Sequence, residues 1–231
     1  MKTLGIIGGL GPESTVDYYQ SLIAVYREQT NDDSYPSIII NSINLTRAIA
    51  LVTANELAAL AEWLASEIEK LRSAGADFAL ISANTPHIAF DEIARRSPLP
   101  LISIVEATCE AAKKTGLKRL ALLGTRFTMQ GHFYSDVFSR AGISLAAPKP
   151  ELHSAIHEKY MGELVKGVFR LETRAWMLEI IEELKKREQI QGAILAGTEL
   201  PLLLPDASYD GVPMLNTTQI HVRAAVKAML S

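Results

Sequence analysis

Apolar and polar positions fall along this chain in two alternating textures. Short runs rich in Ile, Leu, Val and Ala, with no polar alternation, predict strands over 3–8, 37–42, 77–82, 100–104, 118–123, 143–146, 192–196 and 212–215. Runs of that kind suit strands covered by helices on both faces. Between them, apolar residues recur at helical spacing and predict helices over 14–28, 54–73, 104–115, 128–141, 153–167, 172–187 and 217–229. Strand–helix alternation specifies an α/β fold with parallel sheets. The punctuation agrees. Pro12-Glu13-Ser14-Thr15 supplies a turn, an acidic first-turn residue and cap candidates, while Gly75 and Gly116 stand where left-handed helix ends are expected.

Two stretches have counterparts half a chain away. Leu4-Gly5-Ile6-Ile7-Gly8-Gly9, followed by a helical pattern holding Tyr18-Tyr19, matches Leu120-Ala121-Leu122-Leu123-Gly124-Thr125, followed by one holding Phe133-Tyr134. Later in each half, Ala79-Leu80-Ile81-Ser82-Ala83-Asn84-Thr85 matches Ala193-Ile194-Leu195-Ala196-Gly197-Thr198-Glu199. Gly8 to Gly124 is 116 residues and Asn84 to Thr198 is 114. Two pairs in one order at nearly one offset indicate a duplicated α/β unit. The expectation is two similar parallel-sheet domains, with a small ligand in the cleft between them. The first would span 1–115 plus about 208–231, and the second 116–207.

Composition narrows the function classes. The chain has 231 residues, a net charge of −3 and a sequence pI near 6.0. No basic excess is available to track a nucleic-acid backbone. Lys185-Lys186-Arg187 closes a helical pattern and reads as a solvated helix end. No apolar run reaches bilayer length, and Leu4 to Gly9 runs straight into glycines rather than a cleavage site, so a cytoplasmic location is expected. One cysteine, Cys109, leaves no internal disulfide framework and no multi-cysteine zinc site.

In parallel α/β sheets, ligands bind beyond the carboxyl ends of the strands. Four strand ends carry candidate chemistry. Gly8-Gly9-Leu10-Gly11-Pro12 brings backbone close to a ligand and opens a helix, although the Gly-Lys-Ser/Thr of a P-loop is absent and the dinucleotide fingerprint is only partial. Ser82-Ala83-Asn84-Thr85-Pro86-His87 offers fixed hydrogen-bonding groups, or alternatively a simple Asx turn. Gly124-Thr125-Arg126-Phe127-Thr128 holds a cap candidate in Thr128, and Gly197-Thr198-Glu199-Leu200 places a carboxylate just past a buried run. Arg47 and Lys166, one in each half, are either carboxylate clamps or ordinary surface charges. His153 and His157 share a helix face, lack the metalloprotease glutamate, and read as exposed; no metal site follows from them.

With these motifs in view, the chain resembles the aspartate/glutamate racemase family along nearly its whole length. The resemblance is carried by Gly8-Gly9-Leu10-Gly11-Pro12, Asn84-Thr85-Pro86-His87, Ala121-Leu122-Leu123-Gly124-Thr125-Arg126 and Gly197-Thr198-Glu199-Leu200-Pro201-Leu202. It implies two similar α/β domains related by pseudo-twofold symmetry, a site in the cleft between them, and a homodimer. The implied substrate is a small carboxylate, handled without pyridoxal phosphate or other cofactor. The resemblance also implies a site lined by Gly9, Leu10, Asn84, Thr85, Thr125, Thr198 and Glu199. Arg47 and Lys166 match the cations that hold substrate carboxylates.

The chain departs from the family at one point of chemistry. Family members that racemise with two bases place one cysteine before the Asn-Thr pair and another before the Thr-Glu pair. Here those positions are Ala83 and Gly197. Racemisation requires one group to remove the α-proton and another to deliver a proton to the opposite face, and neither Ala nor Gly does so. Cys109 falls in a helical run and reads as a small buried apolar residue. The remaining candidates for proton transfer are Glu199, Thr198, Thr85 and His87. The expected function is therefore an isomerase-family protein with a thiol-free site. The alternatives are a decarboxylase, lyase or other isomerase on the same scaffold, or a binding protein without turnover.

Overall fold

The computed structural model describes residues 1–31 and 33–231. It divides into two compact units, one of residues 1–107 with 218–231 and the other of residues 108–217.

In the first unit, strands β1 (Leu4–Gly8), β2 (Ile38–Ser42), β3 (Phe78–Ile81) and β4 (Leu101–Ile102) form one sheet in the order β2-β1-β3-β4. All three pairings are parallel, with Ile6 opposite Ile40 on one side and Leu80 on the other. Every residue of β1 and β3 is buried, as expected of unalternated runs. Helices α1 (Pro12–Thr30), α2 (Leu45–Thr53), α3 (Leu57–Ser73) and α4 (Phe90–Arg96) connect them. Helix α5 (Ile104–Lys114) carries the chain into the second unit.

The second unit contains β5 (Arg119–Gly124), β6 (Ser144–Ala146), β7 (Gly192–Ala196), β8 (Ser208–Tyr209) and β9 (Val212–Asn216), ordered β6-β5-β7-β9-β8. Its first four members repeat the strand order of the first sheet, and all but the β8–β9 pair run parallel. Helices α6 (Arg126–Gln130), α7 (Phe133–Arg140), α8 (Pro150–Gly162), α9 (Leu171–Glu188) and α10 (Leu200–Leu203) complete this unit, and α11 (Thr217–Leu230) returns the chain to the first.

Each sheet has its own apolar core. In the first unit, Leu4, Ile6 and Leu80 meet Tyr18, Leu22 and Val25 of α1 and Val222, Val226 and Met229 of α11. Burying one such side chain stabilises by about 1.5–3 kcal/mol relative to leaving it exposed. In the second, Ala121, Leu123 and Leu195 meet Ile156 and Tyr160 of α8 and Met177, Ile181 and Leu184 of α9. Cys109 is buried, with its Sγ 3.9 Å from the Val137 carbonyl oxygen. Lys185, Lys186 and Arg187 occupy the last turn of α9, each paired with an acidic residue.

The boundaries differ from the expectations in instructive places. The segment 208–231 does not move as one piece. β9 is an interior strand of the second sheet, pairing Ile194 with Leu215, and only α11 joins the first unit. The helix expected over 54–73 starts at Leu57, because Asn55 adopts φ 56°, a left-handed conformation that ends α2. The helix expected over 128–141 is two helices broken at Gly131, where a Cβ would stand 2.6 Å from the Phe127 carbonyl oxygen.

Candidate active site

The chemistry-bearing residues sit at strand ends, and each set follows from the local chain. After β7 the sequence Gly197-Thr198-Glu199 leads into α10, with Glu199 at its N-cap position. A carboxylate there usually serves the helix by accepting from its amides. Glu199 does not: its side chain makes no cap hydrogen bond. Glu199 Oε2 instead accepts from the Tyr160 hydroxyl of α8 and, at 3.1 Å, from Thr198 Oγ1. Thr198, Glu199 and Tyr160 are all buried, the carboxylate with 1% exposure. Burial, followed by the Glu199 charge, pushes the Tyr160 phenol well above its ordinary pKa. The phenol therefore keeps its proton, which it shares in a hydrogen bond with the Glu199 carboxylate.

Gly197 explains why α8 comes so close. A Cβ on this residue would lie 2.5 Å from Tyr160 Cε2 and 2.7 Å from its hydroxyl oxygen. The position that the resemblance assigns to a thiol is filled by a phenol ring reached from 37 residues earlier in the chain. The sequence reading missed Tyr160. The only signal was indirect: a glycine at a buried strand end leaves a volume that another residue must fill.

The first unit builds its own strand end. Asn84 opens the 3-10 turn Thr85–Ala89 without a side-chain cap hydrogen bond, so the Asx-turn alternative does not hold. Asn84, Thr85 and Ala83 are buried. His87, expected among the candidate bases, is not available as one. Its Nδ1–H donates to the Ala83 carbonyl at 3.0 Å, and its Nε2 accepts from the Ile104 amide at 3.3 Å. Burial, with repulsion from His221, lowers its pKa to about 3. The ring is a neutral structural tie, stacked on Phe90 at 4.8 Å. His221 is held alike. Its Nδ1 accepts from the Tyr18 hydroxyl at 2.8 Å, its Nε2–H donates to the Ile102 carbonyl at 2.9 Å, and burial lowers its pKa to about 4.

The glycine turn after β1 is shaped by packing. Gly9 has φ 76°, and a Cβ there would meet the Ile43 carbonyl oxygen at 2.5 Å, so the turn presses onto the end of β2. The Gly9 amide donates to Thr15 Oγ1 at 2.9 Å, and Leu10 is buried. Arg47, in the first turn of α2, is exposed and lies over the Trp63 ring at 4.5 Å. Lys166 is exposed in the 3-10 turn Leu164–Lys166. Thr125, rather than Thr128, caps α6, accepting from the Thr128 amide at 3.3 Å. His153 and His157 are not on an exposed face. His153 is buried and donates Nε2–H to the Pro148 carbonyl at 2.8 Å, while His157 packs edge-on against Phe127. Among the described residues no three His, Cys, Asp or Glu side chains come together as metal ligands, and no helix is long and apolar enough to cross a membrane.

Two α/β sheets of one strand order, each with buried polar groups at its third strand end, define a duplicated α/β class of protein. The chain belongs to the Asp/Glu/hydantoin racemase family, whose model matches residues 7–225. It is 25% identical over 240 residues to the broad specificity amino-acid racemase RacX of Bacillus subtilis (strain 168), covering 99% of this chain and 98% of the relative. Among solved structures, a candidate Asp/Glu racemase from Yersinia pestis is 31% identical with a TM-score of 0.88. An aspartate racemase homologue from Pyrococcus horikoshii OT3 is 33% identical with a TM-score of 0.82. Both comparisons cover 100% of either chain.

Proposed function

We propose that the protein is a thiol-free isomerase of this family, acting on a small acidic amino acid or a related dicarboxylate. The observation that carries the reading is the buried Thr198–Glu199–Tyr160 cluster beyond β7. A carboxylate withdrawn from helix capping and bonded to a proton-bearing phenol is an acid–base device. In this reading Gly9, Leu10, Arg47, Asn84, Thr85, Thr125, Lys166 and Thr198 bind substrate, with the two cations taking its carboxylates. The resemblance extends the proposal to a cytoplasmic homodimer working without pyridoxal phosphate, of which sedimentation checks the dimer. The test of activity is exchange of the α-proton of aspartate or glutamate with solvent deuterium, lost in Glu199→Gln. Exchange that survives this change removes Glu199 from the proton path.

A second reading is favoured by the first unit's strand end. Ala83 has no acid–base group, and His87 has both ring nitrogens committed to backbone. A site with proton transfer on one face suits decarboxylation or elimination, which pass through a similar carbanion. A product of changed mass from a dicarboxylic acid would select this reading, and a purely isomeric product would reject it.

A further inference from the structure

We infer that the Tyr160 phenol is the catalytic proton-transfer group of this site, occupying the place of the absent thiol at position 197 and exchanging its proton through Glu199. The inference rests on the proposed function and specifies which atom meets the substrate carbon. Two independent features of the geometry point to it. The Tyr160 hydroxyl oxygen stands 2.7 Å from the point where a Cβ at 197 would be, so the phenol crowds the space that a side chain at 197 would enter. The same oxygen donates to Glu199 Oε2, which also accepts from Thr198 Oγ1. An ordinary core tyrosine needs one partner for its hydroxyl. This one faces a buried carboxylate, a costly arrangement for packing alone.

The step balances without a co-reactant. As the substrate Cα–H bond breaks, its electron pair stays on carbon and spreads into the adjacent carboxylate. The phenol passes its proton to Glu199 Oε2 and takes the α-proton in its place. In reverse, the phenol returns a proton to carbon and recovers one from Glu199. In D₂O the carboxyl and phenol protons exchange with solvent, so the returned atom is deuterium.

The experiment compares wild type with Tyr160→Phe, which keeps the ring against Gly197 and removes only the hydroxyl. L- and D-aspartate and L- and D-glutamate are incubated in D₂O, the α-proton is followed by NMR, and configuration is followed by chiral chromatography. Thermal shifts with aspartate, glutamate, malonate and succinate report binding separately. The expected result is exchange of the α-proton, reduced by about 100-fold or more in Tyr160→Phe, with an unchanged ligand-induced thermal shift. Exchange at the wild-type rate in Tyr160→Phe overturns the inference. So does a wild-type protein that is stabilised by these ligands but exchanges nothing. Absence of both thermal shift and exchange in wild type overturns the underlying functional reading, and the inference with it.

Discussion

The contact between Gly197 and Tyr160 makes a quantitative prediction through Gly197→Ala. Two effects oppose each other. Replacing glycine by alanine at an ordinary backbone conformation stabilises a protein by about 0.4–1 kcal/mol, because the unfolded chain has less freedom to lose. Gly197 is not among the residues with positive φ, so this gain applies. Against it, the new methyl would stand 2.5 Å from Tyr160 Cε2 and 2.9 Å from Cζ. The ring has no easy retreat, being buried in the second core with its hydroxyl held by Glu199. Overpacking of this kind costs about 1–3 kcal/mol. The steric term wins, and the net loss is about 1–2 kcal/mol, or roughly 2–8 °C in Tm. A double-mutant cycle with Tyr160→Leu isolates the cause, since leucine vacates the space of Cζ and the hydroxyl. Urea unfolding of the four proteins should give a coupling of about 1–3 kcal/mol, with Gly197→Ala neutral or stabilising when combined with Tyr160→Leu. A single Gly197→Ala variant more stable than wild type, or a coupling below about 0.5 kcal/mol, would refute the packing argument.

Acid should destabilise the first unit through His87 and His221. Their folded pKa values, about 3 and about 4, lie below the ordinary 6.5, so the unfolded chain binds the extra protons. This contribution is complete above about pH 6.5 and is lost as pH falls toward those values, by up to about 1.4 kcal/mol per pH unit for each ring; His221→Gln should flatten the slope in urea titrations between about pH 6 and 4. Gly9→Ala and Gly75→Ala separate backbone strain from crowding. Both glycines have positive φ, but only Gly9 has a neighbour in the way, the Ile43 carbonyl oxygen at 2.5 Å. Gly75→Ala should cost about 1 kcal/mol and Gly9→Ala at least about 1 kcal/mol more, as read from Tm. Arg47→Ala should lower stability by no more than about 1 kcal/mol, since the guanidinium over Trp63 is exposed. It should nonetheless abolish the thermal shift with aspartate; an undiminished shift would remove Arg47 from the substrate.

Much of the architecture was legible because burial on both faces writes itself as unbroken apolar runs. β1, β3, β5 and β7 were read closely for that reason, and so was the repeat of the first half's pattern in the second. Elements set by single residues were harder to read. Helix α2 was missed although Asn44 caps it, since nine residues beside a strand end look like loop. β8 is two residues long and exists only through its pairing with β9. At the site, Thr198 and Glu199 were legible because they follow a strand directly. Tyr160 was not, because a contact across 39 residues leaves no local periodicity. His87 looked like a base for the same reason: its two backbone partners, one 17 residues away, are visible only once the chain is folded.

The crowding at Gly197 also constrains the order in which substitutions can accumulate here. A change at 197 to cysteine, or to any residue with a Cβ, collides with the ring while position 160 is aromatic. A smaller residue at position 160 relieves the collision, and that step takes from Glu199 its phenol partner. In evolutionary terms the two positions form an epistatic pair: each is neutral or costly according to what the other already holds. A single-codon change to a thiol at 197 therefore carries a stability cost in this protein, and the step to two-thiol chemistry, which needs positions 83 and 197, is eased by a change at 160.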